Sequence, residues 1–191
     1  MPAGFKYDLK TDAVERELCN QKTIYRLAGG FNLKDDEVEN GNVVPHLAPL
    51  SIDFKKREAV VVKNVRAVEA ISATTLKVAK GHFIKAGMHI GNGKAGATVS
   101  AIDKANANYD TLTLSATIEG VKAGDVLFQA KAVNGKEPKH IANYLNYARV
   151  KMEDGATITA VGQAYEIKED KLYLPVSEKD KEMLGARFMF V

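Results

Sequence analysis

The sequence predicts a mainly β protein: a small β-barrel or sandwich module set into a β-rich body, with an extended N-terminal arm and a short C-terminal helix. Three observations predict it. A strand–turn–strand unit is written twice between residues 75 and 127. Apolar residues alternate with polar ones on both sides of that region, the period of a half-buried strand. Gly, Asn and Pro crowd the first fifty residues, at a density that breaks helices and ladders alike.

Residues 1–50 read as the arm. Asp12 to Leu18 carries a short-helix signature, with Asp12 as N-cap and Glu15 three residues on. Gly29-Gly30, Asp35-Asp36-Glu37, Asn40-Gly41-Asn42, Pro45 and Pro49 follow. Apolar residues persist through this stretch, among them Ile24, Tyr25, Phe31, Leu33, Val43 and Leu47, and a disordered tail would hold fewer. Two readings fit: an arm that gains order by lying on something, and a long surface loop of the same domain.

Residues 51–71 and 132–191 form the expected body, and 72–131 the module. From Leu50 onward Leu50, Ile52 and Phe54 alternate with Ser51 and Asp53, and Lys55-Lys56-Arg57 is a polar turn. Glu58 to Ile71 is rich in Val and reads as one long strand or two short ones. In the module, Thr75-Leu76-Lys77-Val78 leads to Ile84-Lys85-Ala86-Gly87, and Thr111-Leu112-Thr113-Leu114 leads to Val121-Lys122-Ala123-Gly124. Each Lys-Ala-Gly turns into a second strand, the glycine supplying a positive φ. Thr98 to Ile102 is a further alternating strand. Strands so short and evenly spaced favour a small barrel or sandwich.

After a linker at 131–140, Ile141 to Val150 shows both helical and strand spacing. Glu153-Asp154-Gly155 signals a turn, and Thr157 to Ile167 reads as a strand. Ser177 caps a helix over Glu178 to Leu184, with Asp180 three residues after the cap and Gly185 as its stop. Ala186 to Val191 closes as an apolar strand whose Phe188, Met189 and Phe190 need a cover.

Composition narrows the function classes. The chain is 46% apolar, enough for a core, and its 27 basic and 24 acidic residues give a net charge of only +3. No nucleic-acid partner is expected from so balanced a charge. The start lacks the apolar stretch of a secretory signal, and the run around Ala59 to Val62 is too short for a bilayer, so no membrane partner is expected. The lone cysteine, Cys19, excludes an intramolecular disulfide and a cysteine zinc cage, and fits synthesis in a reducing cytosol.

No catalytic, cofactor-binding or metal-binding residue is assigned. Gly91-Asn92-Gly93-Lys94-Ala95-Gly96 fits G-x-G-x-x-G, but a strand and not a helix follows it, so a phosphate would meet no helix terminus; a hairpin loop is the better reading. His46, His82, His89 and His140 have no metal-ligand spacing. Cys19 reads as a buried thiol and not as a nucleophile. Glu166, Glu169 and Asp170 sit among lysines as a solvated turn and not as a glycosidase pair.

The stretch Thr75-Leu76-Lys77-Val78-Ala79-Lys80-Gly81-His82-Phe83-Ile84-Lys85-Ala86-Gly87 resembles a module of structural proteins of tailed phages and prophages. So do Ala101-Ile102-Asp103, Tyr109-Asp110-Thr111-Leu112-Thr113-Leu114 and Ala123-Gly124-Asp125-Val126-Leu127. The segment from Thr157 through Leu174-Pro175-Val176 and the helix is similar to the tail of the same kind of protein. The resemblance is to head decoration or head-fibre proteins of phages and prophages of gut bacteria, and spans roughly residues 60–191. Met88 departs from the Asp more usual after the first turn glycine. The resemblance implies a non-catalytic virion protein, without cofactor, that binds the outer capsid surface. It also implies a homotrimer with its β-modules projecting outward and the major capsid protein as partner. Two alternatives stay open. One is a tail or baseplate component with a carbohydrate-binding β-module, for which Tyr109, Tyr144, Tyr147, Tyr165 and Tyr173 are the candidates. The other is a small β-barrel enzyme assembled from distant residues.

Overall fold

The structure, a computed structural model, describes residues 17–191. The helix expected from Asp12 lies outside the described residues, apart from Glu17 and Leu18, which are not helical. In chain order the strands are β1 (Tyr25–Arg26), β2 (Phe31–Leu33), β3 (Val43–Val44), β4 (Pro49–Asp53), β5 (Glu58–Val61), β6 (Asn64–Arg66), β7 (Thr75–Ala79) and β8 (His89–Gly91). They continue with β9 (Gly96–Asp103), β10 (Tyr109–Leu114), β11 (Val126–Ala130), β12 (Tyr144–Asn146), β13 (Val150–Lys151), β14 (Thr157–Ile158) and β15 (Ala160–Ile167). Helix α1 (Glu178–Leu184) and strand β16 (Phe188–Phe190) complete the chain. The class is mainly β, as the alternation predicts.

The body is built on a sheet in the order β1-β15-β12-β4-β5-β2-β14, with β16 parallel to β15, and on a separate antiparallel pair of β3 and β13. The sheet buries residues on both faces, because successive strand residues point to opposite sides. Leu50, Ile52, Ala59 and Val61 join one core with Phe31 and Leu33. Leu145, Val161, Ala164 and Ile167 join another with α1 Leu184 and Phe188. That second core covers the C-terminal aromatics that the sequence left in need of a cover, although Met189 stays 45% exposed.

Several strands of the body come from the stretch read as an arm. Asn32 and Leu33 pair in parallel with Glu58 and Ala59, and Tyr25 and Arg26 pair with β15. Phe31 is 1% exposed. These strands are two or three residues long, too short to display a period. The Val-rich run at 58–71 is two strands in two sheets: β5 belongs to the body and β6 to the module. Thr157 to Ile167 is likewise split, β14 pairing with β2 and β15 with β12.

The module sheet runs β6-β11-β8-β9-β10-β7. Among the described residues no closed barrel is found. Beyond the sheet path, the edges β6 and β7 meet only at an isolated Ala67–Val78 bridge, where Val68 N donates to Lys77 O at 2.8 Å.

The internal repeat is legible in the hydrogen bonds. Gly87 N donates to Val99 O, and Val99 N to Met88 O; Gly124 N donates to Ala67 O, and Ala67 N to Asp125 O; all four are 2.8 Å. Gly87 and Gly124 have φ of 89° and 90°, which the third position of each turn requires. The first N–H of each turn is held by the side chain three residues on. Lys122 N donates to Asp125 Oδ2 at 2.8 Å, and Lys85 N to Met88 Sδ at 3.3 Å. A thioether, a weaker acceptor, thus occupies the role of the carboxylate. Leu76 faces Leu112 across β7–β10, and Gly91 faces Phe128 across β8–β11. Each is a self-matching position of the repeat, so the two halves are related by a local two-fold. Their apolar residues share one core, including Leu76, Val78, Ile90, Val99, Leu112 and Leu127.

Candidate functional site

The chain enters the module at Lys63-Asn64 and returns through residues 131–141. These two connectors cross beside each other: Gln129 N donates to Lys63 O, and Lys139 N to Gln129 O. Two buried polar networks hold the crossing.

The first centres on Lys63, whose side chain is fully buried. Its ammonium donates to Asp35 Oδ1 at 2.9 Å and Oδ2 at 2.8 Å, and lies 3.3 Å from Glu37 Oε2. Asp35 also accepts from Val61 N and Glu37 N. Glu37 accepts from Gln129 of the module and from Lys139 of the return connector. Burial pushes the Glu37 carboxyl up, but Lys139, Gln129 and Lys63 together pull it further down, to about 2. A charge this deep in the fold persists only when paired and hydrogen-bonded.

The second centres on Asp180, in the first turn of α1 and 1% exposed. Its Oδ2 accepts from Ser177 N and Oγ and from Asn64 Nδ2, and its Oδ1 accepts from Ala142 N. Ser177 and Asp180 form the reciprocal capping box that the sequence predicts. The same carboxylate ties Asn64 of the entry and Ala142, immediately after the return connector, to the helix.

A cavity of about 430 Å³ lies where the body loop at 37–43 meets the module. His82 lines it, with its side chain 2% exposed and Nε2 3.3 Å from Asp110 Oδ2. Neither ring nitrogen completes a hydrogen bond among the described residues. Burial lowers its pKa; Asp110 opposes this and Lys104 adds to it. Asp110 is paired with Lys80 at 2.7 Å.

At the β4–β5 turn, Phe54 is 48% exposed and stands edge-on to Phe31 at 5.2 Å and Tyr144 at 5.4 Å. Arg57 lies over the Phe31 ring at 4.6 Å and Arg187 over the Tyr144 ring at 4.8 Å. Cation–aromatic stacking fixes both guanidiniums.

The residues weighed in the sequence are dispersed. His46 contacts Tyr147 O, His89 contacts Thr98 Oγ1 at 2.8 Å, and His140 is half-buried at the return connector. Among the described residues no group of three His, Cys, Asp or Glu is placed to hold a metal. Cys19 is 1% exposed, and burial, then Glu17, pushes its thiol up, away from the nucleophilic thiolate. Glu169 is bound by Lys181, and Glu166 accepts from Asn20. Gly91 and Gly96 end β8 and begin β9, and a Cβ on either would lie 2.4 Å from Gly135 Cα. The glycine motif therefore serves a close backbone approach and precedes a strand. Of the tyrosines weighed as a sugar platform, Tyr173 is the most exposed at 42%, and Tyr144 is committed to the Phe54 cluster.

Sequence reasoning passed over Lys63 and read Phe54 only as an apolar strand residue, whereas it stands in the turn after β4. A signal existed for the first: a lysine inside Ala59-Val60-Val61-Val62-Lys63-Asn64-Val65 interrupts an apolar run. No helix among the described residues is long and apolar enough to cross a membrane.

A family model described as "Head fiber protein" matches residues 5–189 of the 191. No curated protein and no solved structure matches the chain.

Proposed function

The chain belongs to the phage head fibre protein family, and from that premise we propose that it attaches to the outer surface of the capsid and displays its β-module outward without catalysing a reaction. Membership makes it a structural component of the virion. The observation that carries the proposal is the extent of the match, which takes in body and module together. The doubly pinned crossing of the connectors supports it, since a displayed module needs a junction that transmits position. On this reading the partner is the major capsid protein, the assembly is a homotrimer, and synthesis is in the host cytoplasm.

The test is cosedimentation of the full chain with empty capsids of the source phage. Saturable binding at micromolar concentration is expected. No association at that concentration overturns attachment. The mass of the free protein by light scattering tests the trimer separately, a monomer over the same range overturning it.

A further inference from the structure

We infer that the β4–β5 turn, Phe54-Lys55-Lys56-Arg57 with Arg187 beside it, is the surface through which the body docks on an acidic face of a partner protein. This rests on the attachment reading, which makes that face part of the capsid shell.

Four observations carry it. First, Phe54 is an aromatic anchor already held in place. It stays 48% exposed, yet two aromatic neighbours fix its ring. Second, the turn is rigid. Asp53 Oδ1 accepts from Lys55 N at 2.9 Å and Lys56 N at 3.1 Å, and Arg57 Nη2 donates to Gly30 O at 2.7 Å. Arg57 itself has a φ of 58°, the left-handed conformation that closes a four-residue hairpin loop. A surface ordered before contact loses little entropy on binding. Third, the charge is one-sided. Lys55, Lys56, Arg57 and Arg187 form no ion pair among the described residues. Asp53 stays charged while its Oδ1 accepts the two turn N–H groups, and neighbouring Glu58 is paired with Lys34, so the four cations leave the surface net positive. The complement of an exposed ring framed by unpaired cations is an apolar pocket rimmed by carboxylates, and aromatic and arginine side chains dominate binding energy at such contacts. Fourth, the turn closes one end of the β4–β5 hairpin, and the chain leaves the other end to enter the module. A body docked through the turn leaves the module's entry facing away from the contact.

The test uses the full chain and empty capsids. The variants are Lys55→Glu with Lys56→Glu, Phe54→Ala, and a charge-matched control in the module, Lys122→Glu with Lys131→Glu. All four lysines are exposed, so the charge reversals report binding and not folding. We expect the turn reversal to weaken capsid binding about tenfold or more, Phe54→Ala to weaken it at unchanged salt dependence, and the control to stay within about twofold. Wild-type binding with an unchanged turn reversal overturns the docking surface and leaves attachment standing. Equal losses in the turn and control reversals also overturn it, since the attraction is then diffuse. If the wild type does not bind capsids, attachment fails and the docking surface with it. If the wild type holds duplex DNA as tightly as capsids, and the turn reversal abolishes both, the partner is a polyanion and the protein-docking inference is overturned.

Discussion

Replacing Lys63 with Met tests whether the junction depends on its buried ion pair. The Lys63 side chain is fully buried and that of Asp35 is 2% exposed. Without the ammonium, the Asp35 carboxylate keeps Val61 N at 3.2 Å and Glu37 N at 3.1 Å, and loses contacts at 2.8 and 2.9 Å. Glu37 is 30% exposed and recovers hydration, so the loss falls on Asp35. Breaking a buried pair from one side costs about 3–5 kcal/mol. In a chain of this size each kcal/mol lowers the melting temperature by about 2–4 °C, so Lys63→Met is expected to melt roughly 6–20 °C lower. The double variant Lys63→Met with Asp35→Asn removes the orphaned charge and keeps an acceptor for one of the two backbone N–H groups, which bond to different oxygens of Asp35. It is expected to recover part of the loss. Urea titration and calorimetry at neutral pH measure both. A single variant within about 1 kcal/mol of wild type refutes the reasoning, and so does a double variant no more stable than the single.

Gly87→Ala and Gly124→Ala meet no atom within 4 Å of the new Cβ, so backbone strain alone sets their cost. Each is expected to cost about 1–2 kcal/mol, and the local two-fold predicts equal losses within about 0.5 kcal/mol in urea titrations. Ser177→Ala removes a cap and a hydroxyl donor to buried Asp180; a loss of about 1–2 kcal/mol is expected by the same assay. Acid is expected to destabilise the fold in two steps. His82 and His140 are both held below their ordinary value of 6.5, so the unfolded chain binds protons that the folded one does not. Their neutral forms favour the fold above that pH, and stability declines as pH falls below it. Glu37 is depressed from 4.5 to about 2, so its contribution is complete above 4.5 and is lost as pH falls towards 2. Melting temperature against pH is the readout. His82→Gln is expected to shrink the upper step and leave the lower one; an unchanged upper step contradicts the role given to His82.

What was legible in the residues was local. The capping box at Ser177 and Asp180, the polar turn at 55–57 and the two Lys-Ala-Gly turns depend on groups within four positions of one another. Short-range hydrogen bonds and the two-residue period were enough to place them. The repeat was visible for the same reason, and its two-fold followed once Leu76 met Leu112. Met88, where the second half of the repeat has Asp125, leaves the turn intact, because sulfur accepts the equivalent N–H.

Long-range pairing decided the rest. Strands of two or three residues, such as Tyr25–Arg26 and Phe31–Leu33, have no readable period and become strands only when β15 and β5 supply partners. The parallel match of β2 with β5 joins residues far apart in the chain, and no local signal announces it. Lys63 reads as an ordinary charged residue until the fold brings Asp35 and Glu37 to it, and Asp180 reads as a helix cap until Asn64 and Ala142 reach it. The turn at Lys55-Lys56-Arg57 was plain in the sequence. That Phe54 beside it stands half-exposed between two stacked arginines was decided by Phe31, Tyr144 and Arg187, which arrive from three other parts of the chain. The sequence alone thus determined the β class, the turns and the repeat, because neighbours in the chain enforce them. The tertiary structure decided the junction and the exposed anchor, because burial and charge pairing depend on which distant segments meet.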